Sequence, residues 1–455
     1  MENDDKYLMR QGAHILSVAN DLKRTPEALA EELGYPYPFM TAALAGKVTL
    51  DEMSGLTDRM YQTYPVSMAE LWIDRDETDG GVRVMSESES RASSRVFERV
   101  DGHGNSSPYY EYRDTAMVKS SPYKPEWIKE LKFVADNDPD NPDVVYNKGH
   151  LLHQQTFFIG EVNFYWKSGG KSHCREMNTG DSNYITPYVP HSFTSRNADR
   201  PGLIIAVTFA NNISSARSAL NYFGPDDLQG WIGDKRDAAE MFRLTVSRHR
   251  ENEMVTERQL AARLAALGIR DPEALARGEP AAPPAQADIE ALAQALNVFP
   301  EEFAVAGLTE AQEVSLAARS DADARPFPDS NAPSYILRDL ARSPHMPGLK
   351  GFDVEVVQDH GEPSVFRHAM HEYIYNYGDV PVEILYGEGR RATIESDGSA
   401  YISPMVPHAF SATGGTGRLA VVRVAGSMTK ETIQELASFA PQGRNRAKTE
   451  ITLWY

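Results

Sequence analysis

The 455-residue chain contains a single cysteine, Cys174. One thiol excludes an intrachain disulfide and any zinc or iron–sulfur centre built on several cysteines, and it suits a reducing compartment. Long apolar runs are also missing, so nothing reads as a membrane-spanning helix. The chain starts Met1-Glu-Asn-Asp-Asp-Lys6, which is acidic where a secretory leader would be basic and then apolar. These features predict a cytoplasmic protein without a membrane partner. Positive charge is short as well: 46 Lys and Arg stand against 65 Asp and Glu, a formal charge of −19. That balance disfavours nonspecific attraction to nucleic acid. An anionic substrate must therefore be met by a local cluster of donors. Hydrophobic residues at 41% and charged residues at 24% are ordinary for a globular chain, and this length predicts roughly two to four domains.

One plan occurs twice along the sequence. Thr25-Pro-Glu-Ala-Leu-Ala-Glu-Glu-Leu-Gly34 carries an N-cap Thr, Pro at the first helical position, Leu29 and Leu33 on one face and a closing Gly34. Thr256-Glu-Arg-Gln-Leu-Ala-Ala-Arg-Leu264 repeats that start. Further on, Tyr109-Tyr-Glu-Tyr-Arg-Asp114 matches Ser334-Tyr-Ile-Leu-Arg-Asp339. Likewise Tyr184-Ile-Thr-Pro-Tyr-Val-Pro-His-Ser-Phe193 matches Tyr401-Ile-Ser-Pro-Met-Val-Pro-His-Ala-Phe410. The repeat predicts an α+β protein: a helix-turn-helix-like module followed by a jelly-roll β-barrel, twice, and the Pro-His phrases of the barrels resemble those of cupins. The expected segments are 1–78 (first helical module), 79–225 (arm and first barrel), 226–315 (second helical module), 316–430 (arm and second barrel) and 431–455 (tail). Ala281-Ala-Pro-Pro-Ala-Gln286 reads as a loop between helices of the second module.

The chemistry concentrates around Asn147-Lys-Gly-His150-Leu-Leu-His153-Gln154 and a later Pro190-His191. On a strand, residues four apart share a face, so His150 and Gln154 would point together, with His191 arriving from a second strand. Two imidazoles and one oxygen donor on one face of a metal leave the opposite face open. An amide stands where the usual carboxylate would be. Gln154 as a structural amide stays open at this stage, with His153 and Gln155 as the ligands of a shifted register. In the second barrel His368, Glu372 and His408 form a formally complete set, but by spacing Val365, Leu337 and Met254 stand in the places of Asn147, Tyr112 and Lys23. A degenerate pocket that completes the fold is the competing reading there.

The helical modules raise a different function, a helix-turn-helix regulator with a ligand-sensing cupin. The would-be recognition stretch Tyr35-Pro-Tyr-Pro-Phe-Met-Thr-Ala-Ala-Leu-Ala-Gly46 has no basic residue and follows Glu27, Glu31 and Glu32. Recognition helices need Lys, Arg, Asn or Gln for phosphates and base edges. Nucleic acid is therefore not expected as a partner.

These motifs resemble the phosphonate-processing non-haem iron enzymes along nearly the whole chain. The resemblance implies a mononuclear Fe(II) cofactor held by His150 and His191, phosphonate contacts from Arg99, Tyr112 and Asn147, and Lys23 near the oxygen site. Within the family the hydroxyethylphosphonate dioxygenase takes its carboxylate ligand from the strand before the last His, where this chain has Ile185. The epoxidase takes it from the position of Gln154. A 2-His-1-Gln set with Ile185 is the pattern of the methylphosphonate-forming branch of phosphonate biosynthesis. The implied reaction consumes 2-hydroxyethylphosphonate and O₂, cleaves the C–C bond to a methylphosphonyl radical and formate, and releases methylphosphonate and CO₂. The alternative product pair is hydroxymethylphosphonate and formate. A neutral amide donates less charge to iron than a carboxylate. An oligomer is compatible with this reading, and Lys23 would serve its own chain or a neighbour's.

Overall fold

The computed structural model describes residues 2–209, 213, 216–224, 226–234, 237–304, 313–329, 331–344, 346–357, 364–412 and 414–449. It divides into two compact units. One comprises Met1–Trp166, His173–Phe209 and Leu316–Tyr455, and the other Lys167–Ser172 and Ala210–Ser315.

The first unit starts with helices Asp4–Asp21, Pro26–Leu33, Tyr37–Leu44 and Leu50–Thr63. Thr25 caps the second of them, its side chain accepting from Ala28 N, and Gly34 ends it at φ 72°. Left-handed backbone of this kind suits glycine. Ile15, Leu29, Leu33, Met40, Met53 and Leu56 are fully or almost fully buried and form the core of this helical segment. Buried Gln11 ties it to the following chain, donating to Leu71 O at 2.5 Å and accepting from Ile73 N at 3.1 Å.

Two β-sandwiches of the cupin type follow, each a seven-stranded sheet faced by a three-stranded one. The large sheet of the first runs, neighbour to neighbour, Val314–Ala317, Ser182–Ile185, His153–Ile159, Leu203–Phe209, Tyr123–Glu130, Ser106–Asp114 and Arg95–Val100; Lys171–Met177, Val162–Ser168 and His191–Ser195 make the small sheet. The second repeats this order. Its large sheet holds Val82–Met85, Ser399–Ile402, His371–Asn376, Gly417–Val424, Leu349–Val356, Tyr335–Asp339 and Arg325–Phe327, and its small sheet Arg390–Ile394, Val382–Tyr386 and His408–Ala412.

The central strands are buried on both faces, which explains why His153–Ile159 does not alternate apolar with polar. One face, with Gln154, Thr156 and Phe158, looks into its own sandwich. The other packs on the second sandwich, where Tyr123, Trp127, Phe157, Tyr184 and Val207 share a core with Leu349, Tyr373, Tyr375, Tyr401 and Val422. Gln155 crosses that interface and donates to Ala341 O at 2.5 Å.

The arms are exchanged, which a division into consecutive segments does not anticipate. Val82–Met85, at the start of the first arm, pairs antiparallel with Ser399–Ile402 of the second sandwich. The strand Val314–Ala317, whose last two residues belong to this unit, lies beside Ser182–Ile185 of the first. After the second sandwich come helices Lys430–Ser438 and Pro441–Thr449, and residues 450–455 lie outside the described residues.

The second unit holds helices Ala238–Asn252, Glu257–Ala266, Pro272–Arg277 and Gln286–Leu296 around Val246, Leu260, Leu264, Leu292, Leu296 and Phe303. Thr256 caps its helix as the sequence predicts, and the structure adds a capping box with Gln259; residues 281–285 connect two helices. Among the described residues, no helix is long and apolar enough to cross a membrane.

Candidate metal centre and substrate cavity

Gln154 is the second residue of its strand and points into the first sandwich, directly opposite Ile185 on one neighbouring strand and Thr208 on the other. Its amide nitrogen donates to Thr156 Oγ1 at 2.9 Å, and its Oε1 faces His150 Nε2 at 3.1 Å. His150 itself is not on that strand, contrary to the spacing argument: the strand begins at His153, and His150 lies in the loop before it. The loop is held by Tyr188 N, which donates to His150 O at 2.9 Å, and by the bond between His150 Nδ1 and Leu152 O at 2.7 Å. Gly149 makes this approach possible. Its φ is 71°, and a Cβ there would fall 2.4 Å from the Tyr188 carbonyl carbon.

His191 starts its strand, with Nδ1 bonded to Val189 O at 2.8 Å. Asn147 Nδ2 lies 2.9 Å from its Nε2. Both imidazoles thus engage a backbone carbonyl through Nδ1 and turn Nε2 inward, an arrangement that fixes tautomer and ring orientation. Burial pushes the His191 imidazole down to about 4, so it is neutral and available as a donor at physiological pH. The rings stand edge to face with centroids 5.2 Å apart. His153 faces the opposite side of the strand and bonds Tyr184 OH at 2.8 Å, as alternation requires.

These groups line a cavity of about 90 Å³ together with Arg99, Tyr110, Tyr112, Glu126, Ile128 and Thr208. The Arg99 guanidinium donates to Val145 O at 2.5 Å and lies over the Tyr110 ring at 4.7 Å. Burial, followed by the nearby carboxyl groups of Glu130 and Glu126, pushes the Tyr112 phenol up, so it stays protonated. Of the predicted site residues, the structure brings Arg99, Tyr112, Asn147, His150, Gln154 and His191 together. Lys23 is exposed on a left-handed turn at φ 59°, with Nζ donating to Asp21 O at 3.1 Å, and is not part of the cavity lining.

Sequence reasoning missed Glu126 and Glu130. Together with Ile128 they follow the period of two along Tyr123–Glu130, and that alternation was the available signal. Glu130 is fully buried, with neither carboxyl oxygen bonded, and burial pushes its carboxyl well above the usual range, opposed by Arg99.

In the second sandwich His368 Nε2 lies 2.8 Å from Glu372 Oε2, and His408 Nε2 lies 3.2 Å from Glu372 Oε1. Arg423, opposite Glu372 on the neighbouring strand, bonds Oε2 through Nε. Burial acts to raise the Glu372 carboxyl, but Arg423, His408 and His368 outweigh it and hold it well below the usual range. By spacing Val365 would stand in the place of Asn147, but the backbone bonds put Phe366 there. Asn147 N donates to His191 O at 3.0 Å, whereas Phe366 N donates to His408 O at 2.7 Å. The loop here is one residue shorter, and the Phe366 ring packs on Phe327 and Tyr335 with centroids 5.0 and 4.8 Å away.

Fold and site geometry define a cupin that gathers two histidine imidazoles and one amide at a small internal cavity. No family model matches the chain. It is 32% identical to the methylphosphonate synthase of Nitrosopumilus maritimus over 99% of its own length and 96% of that protein's. It superposes on the 2-hydroxyethylphosphonate dioxygenase of Streptomyces albus, solved with 2-hydroxyethylphosphonate and Fe(II), with a TM-score of 0.87 and 34% identity over all of both chains. The (S)-2-hydroxypropylphosphonic acid epoxidase of Streptomyces wedmorensis matches 30% of the chain at 29% identity, covering 62% of its own length. The chain belongs to the methylphosphonate synthase and 2-hydroxyethylphosphonate dioxygenase family of non-haem iron oxygenases.

Proposed function

We propose that the chain converts 2-hydroxyethylphosphonate and O₂ to methylphosphonate, CO₂ and water, using one Fe(II) bound by His150, Gln154 and His191. Atoms and electrons balance without an external reductant. The observation that carries this reading is the third ligand position. Gln154 Oε1 is aimed at the two imidazoles by the Thr156 bond, and the cross-strand place from which a carboxylate could replace it is Ile185. The donor set fits Fe(II), since imidazole nitrogen and amide oxygen are accepted by first-row divalent metals. Iron would supply O₂ activation and a Lewis-acid anchor for the substrate oxygens.

The protein residues do the rest. Arg99, held by Val145 O and by the tyrosine faces, offers charge-assisted donors to the phosphonate on a chain that is otherwise strongly anionic. Tyr112 adds a phenol donor and Asn147 an amide donor beside His191. Lys23 is kept as a catalytic candidate, and because it lies outside its own cavity lining, a part for it requires movement of its turn or supply from a second copy. The five-segment division and the reading of the helical segments as two copies of one module belong to the same proposal. Supporting the latter, Lys23 and Met254 are both left-handed, at φ 59° and 51°, and the following amides bond back alike to Ala19 O and Arg250 O.

Phosphorus NMR of anaerobically iron-loaded protein given 2-hydroxyethylphosphonate and O₂ tests the proposal. Methylphosphonate is the expected product, with deuterium from C2 of the substrate carried into its methyl group. Equal amounts of hydroxymethylphosphonate and formate would establish the dioxygenase reading instead.

A further inference from the structure

We propose that the second sandwich binds a divalent metal ion of its own through His368 Nε2, His408 Nε2 and Glu372, in a site closed to substrate. Two ligands each about 2.1 Å from a metal and at right angles to one another lie about 3.0 Å apart. The separations of 2.8 and 3.2 Å between the imidazole nitrogens and the carboxylate oxygens bracket that value. The anchoring also repeats that of the first sandwich. His368 Nδ1 bonds Met370 O at 3.1 Å and His408 Nδ1 bonds Val406 O at 2.9 Å, so both Nε2 atoms turn inward.

A second observation points to a ligand. His408 Nε2 and Glu372 Oε1 belong to residues 1% and 0% exposed; they face each other at 3.2 Å, and neither makes a well-directed hydrogen bond to that or any other group. Buried polar atoms almost always have a partner. Arg423 does not supply it: it engages the other carboxylate oxygen and packs its guanidinium over Phe352 and Phe366 at 5.3 and 5.1 Å. The Glu372 and Arg423 charges cancel, so an entering ion meets the same net charge as in the first sandwich, where the third donor is a neutral amide. Phe366 in the structural place of Asn147, and Leu337 in that of Tyr112, leave this ion without phosphonate donors. It would link the loop at His368 to the strands His371–Asn376 and His408–Ala412.

Metal analysis after anaerobic titration with Co(II) and desalting reads the site directly. The wild-type chain should retain two equivalents, His191→Ala one, His408→Ala one, and the double variant none. Co(II) should also raise the melting temperature of His191→Ala but not that of the double variant. Glu372→Gln, with folding checked by circular dichroism, provides a second route to removing the second equivalent should His408→Ala misfold. One equivalent in the wild-type chain and none in His191→Ala would overturn the proposal, leaving Arg423 as the sole cation of the second sandwich. Because His191→Ala disables only the first site, its retained equivalent is independent of the proposed reaction.

Discussion

At the register position where the first sandwich sets Gln154 against Thr208, the second sets Glu372 against Arg423. Both preserve two inward Nε2 atoms anchored through backbone carbonyls, and both place an isoleucine, Ile185 or Ile402, beside the third position. What separates them is room and donors. The first keeps a cavity whose lining includes Arg99, Tyr112 and Asn147, while the second fills the corresponding space with Phe366 after losing one loop residue. A ligand framework is thus cheaper to retain than a pocket, because the framework is fixed by strand register and backbone bonds while the pocket depends on individual side chains.

The comparison can be broken most severely at His191. His191→Ala should abolish phosphonate turnover, a loss of at least about 10³-fold by analogy with removal of other essential catalytic groups, measured by phosphorus NMR, whereas His408→Ala should not. Next, Phe366→Ala should open the second sandwich and lower its stability by about 3–5 kcal/mol, read from chemical denaturation; an effect below 1 kcal/mol, estimated roughly as an ordinary surface change, would mean that Phe366 is not the plug. Arg99→Ala should weaken 2-hydroxyethylphosphonate binding by about 2–4 kcal/mol if its charge-assisted bonds to the anion are desolvated, measured by calorimetry on the anaerobic iron-loaded protein. Unchanged affinity would move the substrate to another cavity. Gln154→Glu makes the third donor of the first sandwich match the second, and the product ratio should shift toward hydroxymethylphosphonate.

The smallest effect concerns Glu130. Its carboxyl is raised in the folded chain, so the native state keeps a proton that the unfolded chain releases above about pH 4.3. Stability from this group is therefore full in acid and declines as pH rises toward the folded pKa. Glu130→Gln should flatten that slope and leave the protein equally or more stable near pH 8, measured by denaturation at several pH values.

Much of this was legible in the sequence. Thr25 and Thr256 announced their helices because capping is local chemistry. The paired phrases ending in His191 and His408 announced two sandwiches, and the spacing of His150 and Gln154 announced that their side chains meet. The rest depended on partners distant in sequence. Periodicity marks Val82–Met85 as extended without saying which sheet receives it. Spacing placed His150 on a strand, because it cannot see that Tyr188 N and Gly149 hold a loop in the same direction. A one-residue deletion hid Phe366 behind Val365, and Arg423 gained meaning only when strand pairing set it against Glu372.

The exchanged arm strands bear on how such a chain came to be double. A half-length version would carry an arm strand whose receiving sheet edge belongs to the other half, and that edge would stand uncovered in its own sheet. Exposed edges recruit any matching strand, and a second identical molecule offers the one that fits. Two half-length chains would therefore close on each other reciprocally, as in a domain-swapped dimer. Fusing them end to end makes that association unimolecular, independent of concentration, and frees one sandwich to lose its pocket while the other keeps it.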